Sequence, residues 1–228
     1  MTDFSVQRLN MVDSQVRPSD VTDQRIVRAM LEVPRELFVP AEVAQLAYID
    51  DPVPVTLRSK GAQARFLLPP RTLAKLVQLL EIGPQSAVLD VGCATGYSTA
   101  VLAHLAQAVT AVEAEPELAA AARETLQALG LDNAAVVHGE HARGAPNAGP
   151  FDVILLNGSV PEVPESLLAQ LKDGGRLAAV VANGPQGRPH QGKACLFVKV
   201  DGEANGLPHF DANAKPLPGF SFSPAFTF

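Results

Sequence analysis

An α/β fold built on a mostly parallel, doubly wound sheet is the architecture this sequence predicts, and three observations carry it. From residue 87 onward, short apolar runs alternate with segments whose apolar positions recur at helical spacing, the pattern of strands wrapped by helices. Val88-Leu89-Asp90-Val91-Gly92-Cys93-Ala94-Thr95-Gly96-Tyr97-Ser98 reads as a buried strand, a glycine turn and the start of a helix. The 228 residues, 47% of them hydrophobic, suffice for one substantial core with an added subdomain.

Residues 1–82 lack that alternation and form an N-terminal helical and loop appendage. Within it, Thr22 or Asp20 is expected to cap a helix through Ile26, Met30 and Leu31 that stops at Pro34. Short turns and extended pieces follow to Pro54. Residues 57–71 gather Arg58, Lys60, Arg65 and Arg71 around Gly61 in a chain of net charge −6. This is either a solvated loop or a substrate-side, anion-attracting rim that is a candidate lid. Pro69-Pro70 opens a helix through Leu73, Leu76, Val77 and Leu80.

Residues 83–228 form the main domain. Strands are expected at 87–91, 109–112, 134–138, 151–156, 176–181 and 194–200, and helices at 99–106, 116–129 and 162–171. Gly174-Gly175 suits the C-cap of the last helix. Five of the ten phenylalanines lie in 210–228, with Phe220/Phe222 and Phe226/Phe228 at period two. They predict a C-terminal antiparallel edge strand packed on the sheet.

Open α/β sheets bind ligands at the carboxyl ends of their strands, so four loops should converge there: Asp90 to Gly96, Glu113-Ala114, Gly139-Glu140-His141 and Asn157-Gly158-Ser159. Gly92 and Gly96 permit close backbone approach, and the next helix N-terminus supplies free N–H groups. The same glycines also suit an ordinary tight turn. A dinucleotide site wants three glycines as G-x-G-x-x-G, whereas here Ala94 separates two and the acid Asp90 precedes the turn. That carboxylate would repel a pyrophosphate and suits an ammonium and a sulfonium, which favours S-adenosylmethionine. Glu113 is positioned for the ribose hydroxyls, and Glu140 either contacts adenine or its amino group or lies with His141 in a solvated loop, with Ala114 or Val136 flanking the ring. Asn157 is positioned for the amino-acid end or the acceptor, and the backbone of Cys93, Ala94 and Gly139 completes the cofactor set.

The charge balance argues against nucleic acid as a partner. Cys93 and Cys195 are far apart and in no C-x-x-C spacing, so neither a disulfide framework nor a metal site is expected. The N-terminus lacks a basic and apolar leader, and no apolar run approaches the ~20 residues of a membrane span. A cytoplasmic protein without membrane contact is the expectation.

Met11-Val12-Asp13-Ser14-Gln15-Val16-Arg17, Val33 to Pro40, Leu46 to Pro54, Val88 to Tyr97, Phe151 to Leu155, Pro161 to Glu165 and Leu171 to Leu177 together resemble the protein-L-isoaspartate O-methyltransferases. The resemblance covers nearly the whole chain and weakens past about residue 183; its N-terminal pieces make it specific. It implies a Rossmann-like class I methyltransferase fold, a cytoplasmic monomer, and S-adenosylmethionine as cofactor with S-adenosylhomocysteine as product. It also implies methylation of isoaspartyl or D-aspartyl carboxylates in damaged proteins and peptides, which begins their repair. By motif position it assigns cofactor binding to Asp90, Gly92, Gly96, Glu113 and Glu140, with Glu140-His141 standing where the family has Asp-Gly.

The sequence departs from the family in the segment before the helix at 70. The family's Ser and Thr of Gly-Gln-Thr-Ile-Ser-Gln-Pro fall on Leu68 and Phe66, so no catalytic residue is assigned. Arg58, Lys60, Arg65, Phe66 and Leu68 are the substrate-side candidates. Three readings follow: the family's isoaspartyl methylation, methylation of a different small acidic acceptor, or a non-catalytic module binding S-adenosylmethionine or S-adenosylhomocysteine. A dehydrogenase is a distant fourth.

Overall fold

Strand and helix signals resolve, in the computed structural model, into six α-helices and nine strands, with short 3-10 and π turns between them, across the described residues 3–56, 64–182 and 191–220. Arg58, Lys60, Gly61, Phe222, Phe226 and Phe228 lie outside them, as do residues 57–63 of the expected lid. α1 (Phe4–Met11) begins at Asp3, whose carboxylate accepts the Ser5 and Val6 N–H groups. α2 (Gln24–Glu32) is capped by Asp23, which accepts the Arg25 N–H at 2.8 Å, and not by Thr22 or Asp20. Asp20 instead holds a left-handed turn (φ 62°), the local geometry that Asp tolerates. β1 (Val53–Pro54) and β2 (Phe66–Leu67) pair antiparallel, and α3 (Pro70–Leu79) follows with proline in its first turn.

The main sheet contains β3 (Ala87–Val91), β4 (Ala108–Glu113), β5 (Ala134–His138), β6 (Phe151–Val160), β7 (Leu171–Val181), β8 (Gln191–Val200) and β9 (Glu203–Asn213). Its order is β5-β4-β3-β6-β7-β8-β9, parallel as far as β7 and antiparallel beyond. Helices α4 (Tyr97–Ala103), α5 (Pro116–Ala128) and the short α6 (Glu165–Leu168) connect the strands. The chain runs outward through β3, β4 and β5, then returns to lay β6 beside β3. That reversal opens a crevice between β3 and β6, where sheets of this kind take ligands.

Three details differ from the sequence expectation. The Gly174-Gly175 pair is a bulge inside β7: the register slips between Phe151↔Leu171 and Val153↔Arg176, and Gly174 sits at φ 78°. A Cβ on Gly175 would lie 2.8 Å from the Lys172 carbonyl, so the crowding of the bulged backbone accounts for glycine there. Asn157-Gly158-Ser159 belong to the irregular end of β6 and not to a loop. The edge strand is β9, whose hairpin with β8 turns at Asp201-Gly202, both with positive φ, the Asp-Gly signature of a two-residue hairpin turn. Of the period-two phenylalanines only Phe220 is described, and it packs beside the cluster containing Leu217.

One buried cluster runs from Met11, Met30 and Phe38 through Leu73 and Leu76 to Val88 and Val101. The appendage therefore shares its core with one face of the sheet. Among the described residues no helix is long and apolar enough to cross a membrane.

Candidate functional site

The glycine turn owes its shape to two left-handed glycines, Gly92 (φ 73°) and Gly96 (φ 96°), with Ala94 also left-handed at φ 53°. A Cβ on Gly96 would meet the Ala122 Cβ of α5 at 3.2 Å, so this glycine lets the loop and α5 pack closely. The Gly92 N–H donates to the Val112 carbonyl at 2.8 Å, which ties the loop to the end of β4. Thr95 anchors its other side by donating its hydroxyl to the Phe38 carbonyl of the appendage.

Asp90, at the end of β3, is fully buried beneath this loop. One carboxylate oxygen accepts the hydroxyls of Ser98 at 2.8 Å and Thr99 at 2.6 Å, and the other accepts the Asn157 amide. Burial pushes the Asp90 carboxyl above its usual range, opposed by the Thr99, Ser98 and Asn157 hydrogen bonds. Asp90 thus ties the start of α4 to the end of β6, and no cation faces it among these partners. The Cys93 thiol is likewise driven up, by burial first and then by Asp90 and Glu113.

Glu113 closes β4 and is wholly buried. Its carboxylate accepts the backbone N–H groups of Ala94 (2.7 Å), Ala114 (2.9 Å) and Glu115 (3.1 Å), and pairs with the Arg65 guanidinium at 2.9 Å. The second terminal nitrogen of Arg65 donates to the Gly92 carbonyl, also at 2.9 Å. Burial raises the Glu113 carboxyl, but the His141 hydrogen bond, the Arg65 charge and the Glu115 N–H more than offset it, holding it down at about 2. Arg65, expected on a substrate-side rim, is 3% exposed and turned into the crevice.

The structure also brings in two residues that the sequence reading left without a role. His141 is buried, its Nδ1 donating to the Pro218 carbonyl at 2.9 Å and its Nε2 lying 3.2 Å from Glu113. The neighbouring Glu140 is exposed and precedes a short turn, its side chain making no capping hydrogen bond. Leu217 is buried over Gly92, so that a Cβ there would lie 2.4 Å from its Cδ1. Its segment is stitched along β6: the Ser159 N–H donates to the Lys215 carbonyl at 2.9 Å and the Leu217 N–H to the Ser159 carbonyl at 2.8 Å. No local sequence periodicity marks either residue.

Gly139 lies under the site, its N–H donating to the Glu113 carbonyl at 3.0 Å. Phe66 and Leu68 face the same crevice and, with Gly92, Ala94, Tyr97 and Asn157, enclose only about 10 Å³ of free space, room for one water at most. A much larger cavity, about 1080 Å³, is elsewhere, between the start of α3 and strands β8 and β9, and no glycine-loop residue lines it. Arg71 lines that cavity, paired with Asp50 at 2.8 Å. The donor set of the crevice suits an adenosine cofactor in chemistry: an acid at the end of β4, a glycine turn at a helix start, and an amide from β6. In this conformation the protein's own side chains fill the space.

The Glu113 carboxyl, ordinarily near 4.5 and held near 2 in the fold, contributes stability that is fully present above pH 4.5. That stability is lost as the pH falls toward 2, and amounts to about 3 kcal/mol. Urea denaturation between pH 7 and pH 3 is expected to show about 2 kcal/mol of this loss, and Glu113→Gln to flatten that part of the profile.

Comparison with known proteins matches residues 7–201 to the protein-L-isoaspartate(D-aspartate) O-methyltransferase family. A protein-L-isoaspartate O-methyltransferase of Koribacter versatilis is 36% identical over 226 residues, 99% of this chain and 97% of that one. One from Methanoculleus marisnigri is 37% identical over 213 residues, 93% and 92% of the two chains. Among solved structures, a protein-L-isoaspartate O-methyltransferase superposes with a TM-score of 0.79 at 27% identity, covering 93% of this chain and 66% of that one.

Proposed function

The chain belongs to the protein-L-isoaspartate(D-aspartate) O-methyltransferase family, and from that premise we propose that it transfers a methyl group from S-adenosylmethionine to the carboxylate of isoaspartyl residues in proteins. The observation that carries the reading, beyond membership, is the convergence of the Gly92–Gly96 turn, Glu113 and Asn157 on the crevice between β3 and β6. Residues 83–228 serve as the cofactor domain and residues 1–82 as the acceptor-side appendage. Protein acceptors rather than nucleic acid, a monomeric state and a cytoplasmic setting complete the proposal, in keeping with the net charge of −6.

Each side chain then has a defined task. Glu113 accepts the ribose hydroxyls, the backbone of Cys93 and Ala94 borders the ligand, and Asn157, oriented by Asp90, faces the amino-acid end. The cofactor supplies an electrophilic methyl on a sulfonium. The acceptor carboxylate is already ionised at neutral pH, its ordinary pKa being about 3.5, so no general base is required. Alignment of the reacting atoms and exclusion of water are what the protein must provide. This accounts for a reaction that proceeds without the family's serine and threonine, at positions occupied by Leu68 and Phe66.

Labelled methyl transfer to an isoaspartyl peptide, with the aspartyl peptide as control, is expected to give selective, base-labile labelling. No labelling, in a preparation that binds S-adenosylhomocysteine, would sink the isoaspartyl reading. It would favour a small acidic acceptor with an apolar body, for which the Phe66 and Leu68 wall is the motivation, or a non-catalytic binding module.

A further inference from the structure

The residues that depart from the family segment are the same ones that fill the crevice. Arg65 lies between Ala64 and Phe66 in that segment, and its guanidinium sits on Glu113 at 2.9 Å and on the Gly92 carbonyl at 2.9 Å. One arm of this rigid fork thus engages the carboxylate that the ribose hydroxyls would need while the other holds the Gly92 carbonyl, at 3% exposure for Arg65 and none for Glu113. A carboxylate that already accepts three backbone N–H groups and a guanidinium has little capacity left for two further donors. Beside the guanidinium Leu217 covers Gly92, the position where the backbone should lie open to a ligand.

Neither occupant is loosely held. The Val55 N–H donates to the Arg65 carbonyl at 2.9 Å and the Arg65 N–H to the Thr56 hydroxyl at 3.0 Å. Three residues on, the buried guanidinium of Arg35 donates to the Leu68 carbonyl at 2.8 Å. Leu217 is fixed by its N–H bond to the Ser159 carbonyl at 2.8 Å, next to the parallel bridge that Pro216 makes with Ser159. The departing sequence therefore builds an internal plug, in which a permanent cation replaces a neutral diol and an aliphatic side chain replaces ligand volume.

We infer that Arg65 is the residue that sets cofactor affinity in this chain: its guanidinium occupies the ribose position on Glu113, Leu217 closes the space over Gly92, and ligand enters only as both withdraw. The inference rests on the cofactor reading given above. A ligand that must displace a well-populated closed state binds more weakly by the fraction of molecules that are open. Because Arg65, Phe66 and Leu68 share one short segment, withdrawal of Arg65 also moves the acceptor-side wall, so cofactor entry and acceptor-site geometry are coupled.

Calorimetric titration with S-adenosylhomocysteine on the full chain, Arg65→Ala and Leu217→Ala tests this, with a cooperative thermal melt establishing that each variant is folded. Arg65→Ala is expected to bind at least about tenfold more tightly than the unaltered chain, although its unliganded form melts lower because Glu113 loses its partner. Leu217→Ala leaves the ion pair intact and is expected to bind several-fold more tightly. It carries the test alone if Arg65→Ala does not fold. A merely structural role for either side chain would weaken binding. Folded variants that bind no more tightly than an unaltered chain that itself binds would overturn the plug while leaving the cofactor reading standing. No binding by any of the three would overturn both.

Discussion

Glu113→Ala lowers the free energy of unfolding by about 3–5 kcal/mol, the expected cost of breaking a buried ion pair by removing one partner. The magnitude follows from what the substitution leaves behind: the Arg65 guanidinium, 3% exposed, with its charge uncompensated. The N–H groups of Ala94, Ala114 and Glu115 also lose an acceptor. The double variant Glu113→Ala/Arg65→Ala removes the orphaned charge and is expected to recover part of the loss, so the two substitutions are strongly non-additive. Urea denaturation of the four proteins at neutral pH measures this coupling. A double variant as unstable as the sum of the singles would mean that Arg65 and Glu113 do not depend on one another. In the same series, Glu113→Ala is expected to abolish S-adenosylhomocysteine binding even where Arg65 is also replaced, because the ribose acceptor is gone.

Asp90→Ala is expected to weaken S-adenosylhomocysteine binding by more than tenfold, with a smaller loss of stability. Three donors, the Ser98 and Thr99 hydroxyls and the Asn157 amide, converge on this carboxylate, and each buried donor left without a partner costs about 1–3 kcal/mol. The hydroxyls can turn to helix carbonyls, and removing the carboxyl relieves a burial that disfavours its ionised form, so the net loss should be about 2 kcal/mol. The binding loss is larger because Asn157 and the start of α4 are freed together at the crevice. Calorimetry with S-adenosylhomocysteine beside a thermal melt separates the two effects. Unchanged affinity in a folded Asp90→Ala protein would show that the ligand does not bind between β3 and β6.

The strands and helices around the crevice were legible because their signals are local. Apolar runs with period 2 or 3.6 identify β3, α4, β4 and α5 within a few residues, and Asp90, Gly92, Gly96 and Glu113 stand at strand ends where the alternation itself locates them. The hairpin at Asp201-Gly202 was equally local in its signal, and it, rather than the phenylalanine spacing, marks the edge strand. Gly174-Gly175 shows the opposite case. A glycine pair after an apolar run fits a helix cap as well as a bulge, and only the pairing of Leu171 with Phe151 decides between them.

What the sequence by itself determined is the doubly wound sheet, its glycine turn and the two acids beside it. Tertiary structure alone decided which side chains reach those acids. Arg65 is 48 residues from Glu113, His141 is 28 from it, and Leu217 lies far down the chain from Gly92. Periodicity reports which face of an element is buried, whereas the partner of a buried charge is chosen only when folding brings distant segments into one low-dielectric space. There an unpaired carboxylate is costly, and the nearest guanidinium that can reach it turns inward.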